Sequence, residues 1–208
     1  FAKQTLTEEG VPQEKIVVIQ YGAPIKSFSP AYEKKSRKKF KLLFVGNISV
    51  RKGCYYLLRA LEELNTPDIR LTMIGTMEHS YFKKRFGKWF TWIPHLPYTF
   101  LPKYFQEADI YVQPSLFEGS SLSIYEALAS GLPVITTPNA GSVVRNGIDG
   151  FIIPIRDIQA IKEKILTLYR DKKLLQKMSE HVHLQAEKYS WENYQNKIVR
   201  FMTTLKLQ

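Results

Sequence analysis

The chain has 208 residues, 44% of them hydrophobic, and a formal net charge of +11. That size suits one domain with a real core and is short for two. The single cysteine, Cys54, excludes an internal disulfide and a cysteine metal cluster, and no apolar run approaches the roughly 18 residues of a membrane span.

The chain opens at Phe1, without an initiating Met or a signal-peptide pattern, which reads as a piece of a longer protein. "KIVVIQYGA" (Lys15 to Ala23) predicts a strand ending at Gly22, and "KFKLLFVGNI" (Lys39 to Ile48) a strand ending at Gly46. "CYYLLRALEEL" has helical spacing, and "IRLTMIG" is a strand that again ends in Gly. "SYFKKRFGKWF" reads as helix, "TWIPHLP" as a short strand running into a loop, and "LPKYFQEA" as a short helix. "DIYVQPS" is a strand, "SLSIYEALASG" a helix and "PVITTP" a strand. A short helix is expected near Ser142 to Asn146, then "GFIIP" as the last strand, helices from Asp157 onward, and a final helix starting at Ser190.

Strands alternating with helices of about ten residues give βαβ units and a parallel sheet. The strands are near-continuous Val, Ile, Leu and Phe, as expected where both faces are covered. The expected fold is therefore α/β, a Rossmann-like, doubly wound sheet of about six strands with flanking helices. In such sheets ligands sit beyond the carboxyl ends of the strands, which here carry Gly46, Gly75, His95, Ser115 and Thr137. The positive charge gathers in "EKKSRKKFK" (Glu33 to Lys41) and "FKKRFGKW" (Phe82 to Trp89). Each cluster reads either as a solvated face or as a contact for an anionic partner.

Two stretches can carry chemistry. "GNISVRKG" (Gly46 to Gly53) follows a strand and opens a helix, so free N–H groups, the helix dipole, Arg51 and Lys52 face one place. A diphosphate suits such a seat, because Arg grips it as a fork and Lys as a point charge. The spacing is neither a Walker A loop nor Gly-x-Gly-x-x-Gly, which disfavours NAD. "SLFEGSSLSIYEALASGLPVITTP" places Glu118 and Glu126 eight positions apart. Ser123 with Glu126 fits a capping box, while Ser120 and Ser121 are competing helix starts. In a continuous helix the two carboxyl groups stand about 12 Å apart, whereas glycosidase pairs need roughly 5–9.5 Å. Two separate contacts with a polyhydroxyl ligand fit better than hydrolysis, and Gly119 leaves room for its approach. "RNGIDGFIIP" reads as a turn before a strand, and His181 and His183 point to different faces of a helix.

"FVGNISVRKG", "LTMIG", "ADIYVQPSLFEGSSLSIYEALASGLPVITTPNAG" and "VRNGIDGFIIP", in that order, resemble the C-terminal, donor-binding domain of the family-four retaining glycosyltransferases. These have the two-domain GT-B fold. The resemblance implies that Arg51 and Lys52 hold the donor diphosphate and that Glu118 lies beside the donor sugar, these three being the catalytic group. It implies that Glu126 binds the ribose, that Gly119, Ser120, Ser121 and Leu122 contact sugar and phosphate, and that His95, Leu96 and Pro97 hold the base. Gly46 and Asn47 join the donor contacts, with Asn47 standing where many members have Arg.

The implied division is an interdomain linker and first strand over residues 1–30 and a nucleotide-sugar-binding domain over 31–190. A C-terminal helix over 191–208 returns toward an absent N-terminal domain. The implied reaction moves a sugar from a nucleoside diphosphate sugar, UDP- or GDP-linked, to a glycan or lipid-linked acceptor, without a metal and without nucleic acid. Transfer would take place in the cytoplasm, with peripheral contact to an anionic membrane, and this piece would be inactive alone. The rival reading is a basic α/β module for nucleic acid or an anionic membrane surface, with Phe82, Phe86 and Trp89 interleaved among the charges.

Overall fold

The computed structural model describes residues 2–30 and 39–206. Residues 33–38 of the first basic cluster lie outside them. Six strands form one sheet: β1 (Phe40–Val45), β2 (Ile69–Ile74), β3 (Phe90–Ile93), β4 (Ile110–Gln113), β5 (Val134–Thr136) and β6 (Gly150–Ile152). The order is β3-β2-β1-β4-β5-β6, and every neighbouring pair is parallel. The expected doubly wound sheet is present.

Successive residues of a strand point to opposite faces, and the two cores follow that alternation. Leu42 and Phe44 of β1 and Leu71 and Met73 of β2 pack with α2 (Cys54–Leu64), α3 (Tyr81–Phe86) and α6 (Ile158–Arg170). Leu43 of β1, Ile74 of β2 and Tyr111 of β4 pack on the other face with α4 (Leu101–Glu107), α5 (Leu122–Ala129) and α7 (Lys172–Ala186). The last helix, α8 (Trp191–Lys206), is capped by Ser190, whose Oγ accepts from the Asn193 N–H at 3.1 Å.

Three expectations need correction. Lys15 to Ala23 is not a strand: after α1 (Ala2–Glu8) and a 3-10 turn at Gln13–Lys15, the chain runs to Ala23 outside the sheet. A strand needs a ladder partner, and here Val17 and Val18 are exposed while Ala23 makes an isolated bridge to Ser190. Residues 142–146 form no helix; a 3-10 turn at Pro138–Ala140 ends at Gly141, which is left-handed (φ 60°). Five residues cannot offset the cost of helix nucleation, and Val143 and Val144 are β-branched. The helix expected from Ser80 to Phe90 stops at Phe86, followed by a 3-10 turn at Gly87–Trp89 and β3.

Candidate functional site

The strand order reverses between β1 and β4, so the loops after these two strands part to opposite sides and leave a crevice at their carboxyl ends. The loop after β1 carries Arg51 and Lys52, and the loop after β4 carries Glu118. The Leu116 N–H donates to the Arg51 carbonyl at 2.8 Å, tying the loops together. Gly53 makes this approach possible: it is left-handed (φ 74°), and a Cβ there would lie 1.9 Å from the Pro114 carbonyl oxygen.

Residues 67 and 66 positions apart thus become an ion cluster. Glu118 Oε2 lies 3.1 Å from Arg51 Nη1 and pairs with Lys52 Nζ. The Lys52 and Glu118 side chains are 12% and 17% exposed, the Arg51 side chain 40%. Arg51 also lies over the Phe117 ring, 5.6 Å from its centroid. The loop after β5 backs Glu118: its N–H donates to the Asn139 carbonyl at 2.8 Å, and the Asn139 amide donates to the Leu116 carbonyl at 2.8 Å. Gly141 packs against Gly119, where a Cβ would stand 2.1 Å from the Gly119 carbonyl oxygen.

Helix α5 starts beside this cluster, with Ser121 as its N-cap, which resolves the competing helix starts. Glu126 therefore sits inside the helix and not in a capping box. It is 3% exposed, and the Tyr98 hydroxyl donates to its Oε1 at 2.6 Å. Burial pushes the Glu126 carboxyl above its ordinary value, and the Tyr98 hydrogen bond pulls it partly back. Tyr98 directly follows His95, Leu96 and Pro97, so the loop after β3 reaches the second turn of α5. His95 and Pro97 are exposed and Leu96 is half-buried. Asn47 is exposed and accepts from the Thr76 hydroxyl at 3.2 Å, and Gly46 (φ 141°) ends β1. Ser120 donates to the Gly141 carbonyl at 3.2 Å, and Leu122 is exposed at the helix start.

A cleft of about 760 Å³ opens between the segment at residues 16–21 and the loops after β4 and β5, with Glu118, Gly119, Ser120 and Tyr125 in its wall. Fixed cations beside an open helix start, flanked by two carboxylates of different burial, can hold an anion at one point and hydroxyl groups at others. Cys54 is no nucleophile, since burial pushes its thiol up to about 12. Sequence reasoning missed Tyr98 and Gln113. A lone Tyr in a loop gives no pattern, but a Gln closing the apolar run "IYVQ" was a legible signal.

Part of the second basic cluster is structural, while Lys83, Lys84 and Lys88 stay exposed. Phe82 and Phe86 are buried in the core, and Arg85 makes a forked pair with Glu62 at 2.5 and 2.9 Å. Lys39 and Lys41 of the first cluster pair with Asp68 and Glu107. Among the described residues no helix is long and apolar enough to cross a membrane.

Residues 26–184 match the family model of glycosyl transferases group 1. The chain is similar to poly(glycerol-phosphate) alpha-glucosyltransferase from Bacillus subtilis, 30% identical over 185 residues, which cover 81% of this chain and 26% of that protein. Its fold superposes on HepE from Anabaena, solved in complex with UDP-glucose, with a TM-score of 0.84 at 18% identity, covering 98% of this chain and 61% of that one. It also superposes on the C-terminal domain of a group 1 family protein, LpcC, from Francisella tularensis, with a TM-score of 0.70 at 23% identity, covering 81% of this chain and 99% of that domain. The chain spans less than two thirds of the length of the first two.

Proposed function

The chain belongs to the glycosyl transferases group 1 family, and from that premise we propose that it is the donor-binding half of a retaining glycosyltransferase. The whole protein would move a sugar from a UDP- or GDP-sugar to a glycan or glycolipid acceptor held by a preceding domain. The observation that carries this reading is the meeting of Arg51, Lys52 and Glu118 at the sheet's switch point, beside the start of α5.

In this reading the donor diphosphate sits between Arg51, Lys52 and the first N–H groups of α5. Those groups neutralise the charge that grows on the diphosphate as its bond to the sugar breaks, and no metal is needed for that step. Glu118 faces the sugar hydroxyls, Glu126 accepts from the ribose hydroxyls, and the loop at His95, Leu96 and Pro97 borders the base. Retention at the anomeric carbon rests on the resemblance of the Glu118-to-Glu126 motif to that of the retaining enzymes. The UDP-glucose held by the Anabaena neighbour supports a UDP-sugar as donor. With the acceptor held by a preceding domain in this reading, residues 1–208 by themselves would bind donor without turning it over. The exposed Lys84 and Lys88 would meet an anionic membrane at the cytoplasmic side. The nucleic-acid reading loses two of its three stacking rings, because Phe82 and Phe86 are core residues and only Trp89 stays half-exposed.

A ligand-observed NMR screen against UDP- and GDP-sugars tests the proposal. Saturable binding of one donor class is expected; the absence of binding to every nucleotide sugar would overturn it.

A further inference from the structure

Among the described residues, three N-caps bond their own helix with the side chain. Asp157 accepts from the Ala160 N–H at 2.8 Å, Asp171 from Leu174 at 2.9 Å, and Ser190 from Asn193 at 3.1 Å. Ser121, at the head of α5, makes no such bond. Its hydroxyl turns inward and donates to Gln113 Oε1 at 3.0 Å. The same oxygen lies 3.0 Å from Ser123 Oγ and 2.7 Å from the Tyr111 hydroxyl. A carbonyl oxygen has two lone pairs, so the three hydroxyls share it. Tyr111 has an alternative acceptor in the Val45 carbonyl at 3.1 Å.

Gln113 is fully buried at the carboxyl end of β4. A buried amide is costly unless both of its ends are paired. Here the Gln113 side-chain nitrogen donates to Ser115 Oγ at 3.1 Å, which fixes which way the amide points. The backbone carbonyl of Gln113 accepts from the Thr136 hydroxyl at 3.0 Å, joining the network to β5. With Ser121 held inward, the Leu122 and Ser123 N–H groups have no acceptor among the described residues. The cations Arg51 and Lys52 stand in the loop tied to this one by the Leu116-to-Arg51 backbone bond.

We propose that Gln113 is a positioning residue of the donor site: it draws the N-cap hydroxyl of Ser121 away from the first turn of α5 and keeps that turn open to the donor diphosphate. This rests on the donor-site reading above. Gln113 touches no ligand itself. Without it, the Ser121 hydroxyl rotates to accept from the Ser123 N–H, as an ordinary N-cap does, and competes with the phosphate oxygens.

The test is calorimetric titration of the full chain with UDP and, in parallel, GDP. Gln113→Leu is expected to weaken binding about tenfold, the size of one charge-assisted hydrogen bond. Adding Ser121→Ala to Gln113→Leu removes the hydroxyl that would cap the helix, and it is expected to restore most of the lost affinity. A role in packing alone predicts the reverse, with the double variant as weak as the single or weaker, and that result overturns the proposal. Wild-type affinity in Gln113→Leu overturns it as well. Where thermal melting shows that Gln113→Leu has not folded, Gln113→Met takes its place in both arms, with the same two outcomes. Failure of the wild-type chain to bind either nucleotide overturns the donor-site reading, and this inference with it.

Discussion

Glu118→Gln keeps the shape of the site and removes its central negative charge. Glu118 Oε2 serves two cations, Arg51 Nη1 at 3.1 Å and Lys52 Nζ. Removing one partner of a buried pair costs roughly 3–5 kcal/mol, and of an exposed pair about 0.2–1 kcal/mol. Lys52 is 12% exposed and Arg51 40% exposed, so the cluster lies between these limits. We take about 2 kcal/mol as the midpoint of those ranges. At about 2–4 °C per kcal/mol for a domain of this size, the melting temperature drops by about 4–8 °C. UDP then does in the variant what the carboxylate did before, and it no longer competes with an internal anion. The UDP-induced rise in melting temperature is therefore larger in Glu118→Gln than in the wild type. Differential scanning fluorimetry with and without UDP reads both effects. A variant that melts at the wild-type temperature and gains no more from UDP than the wild type does would refute the reasoning.

Glu126 gives a pH signature. Its folded carboxyl lies above the unfolded value of 4.5, so its contribution to stability is fully present below that value and is lost as pH rises through the folded one. Tyr98→Phe removes the bond that pulls the carboxyl down, so in urea melts across the acid range the loss extends to higher pH; an unchanged profile contradicts this. Gly53→Ala forces a side chain into a left-handed position and against Pro114, at a cost of at least about 1–3 kcal/mol in urea unfolding. The same change pushes the two site loops apart, so nucleotide affinity falls with it, and retention of both would show that the close approach does not matter. Charge reversal at Lys84 and Lys88 weakens binding to anionic vesicles by about 1 kcal/mol per site; equal sedimentation of variant and wild type removes the membrane contact.

How far the sequence could be read differs from place to place for physical reasons. "CYYLLRALEEL" gave its helix residue for residue, because apolar side chains at helical spacing meet a glycine at the start. "KIVVIQYGA" carries an equally good strand pattern, yet a strand is made by its neighbour, and no periodicity states whether one is present. At Ser142 to Asn146 the outcome turned on Gly141 and on the fork from Arg145 to Asp149, at 2.7 and 2.6 Å, which holds the loop in place of a helix. In the site, each loop was legible by itself. The contact between Arg51 and Glu118 was not, since it follows from the strand order. Tyr98 acts through a single side-chain hydrogen bond to Glu126, 28 positions away, and Gln113 through several bonds, most of them to residues in other elements; neither set of partners can be read from sequence spacing.

The central claim is that one ligand touches both ends of this site, the cations at the switch point and the carboxylate down the helix. Calorimetric titration of Arg51→Ala and Glu126→Ala with the preferred nucleotide tests it most directly. The account predicts that each variant folds and binds more weakly by about 1.5–3 kcal/mol, the range for a hydrogen bond to a charged group. Wild-type affinity in both would contradict it.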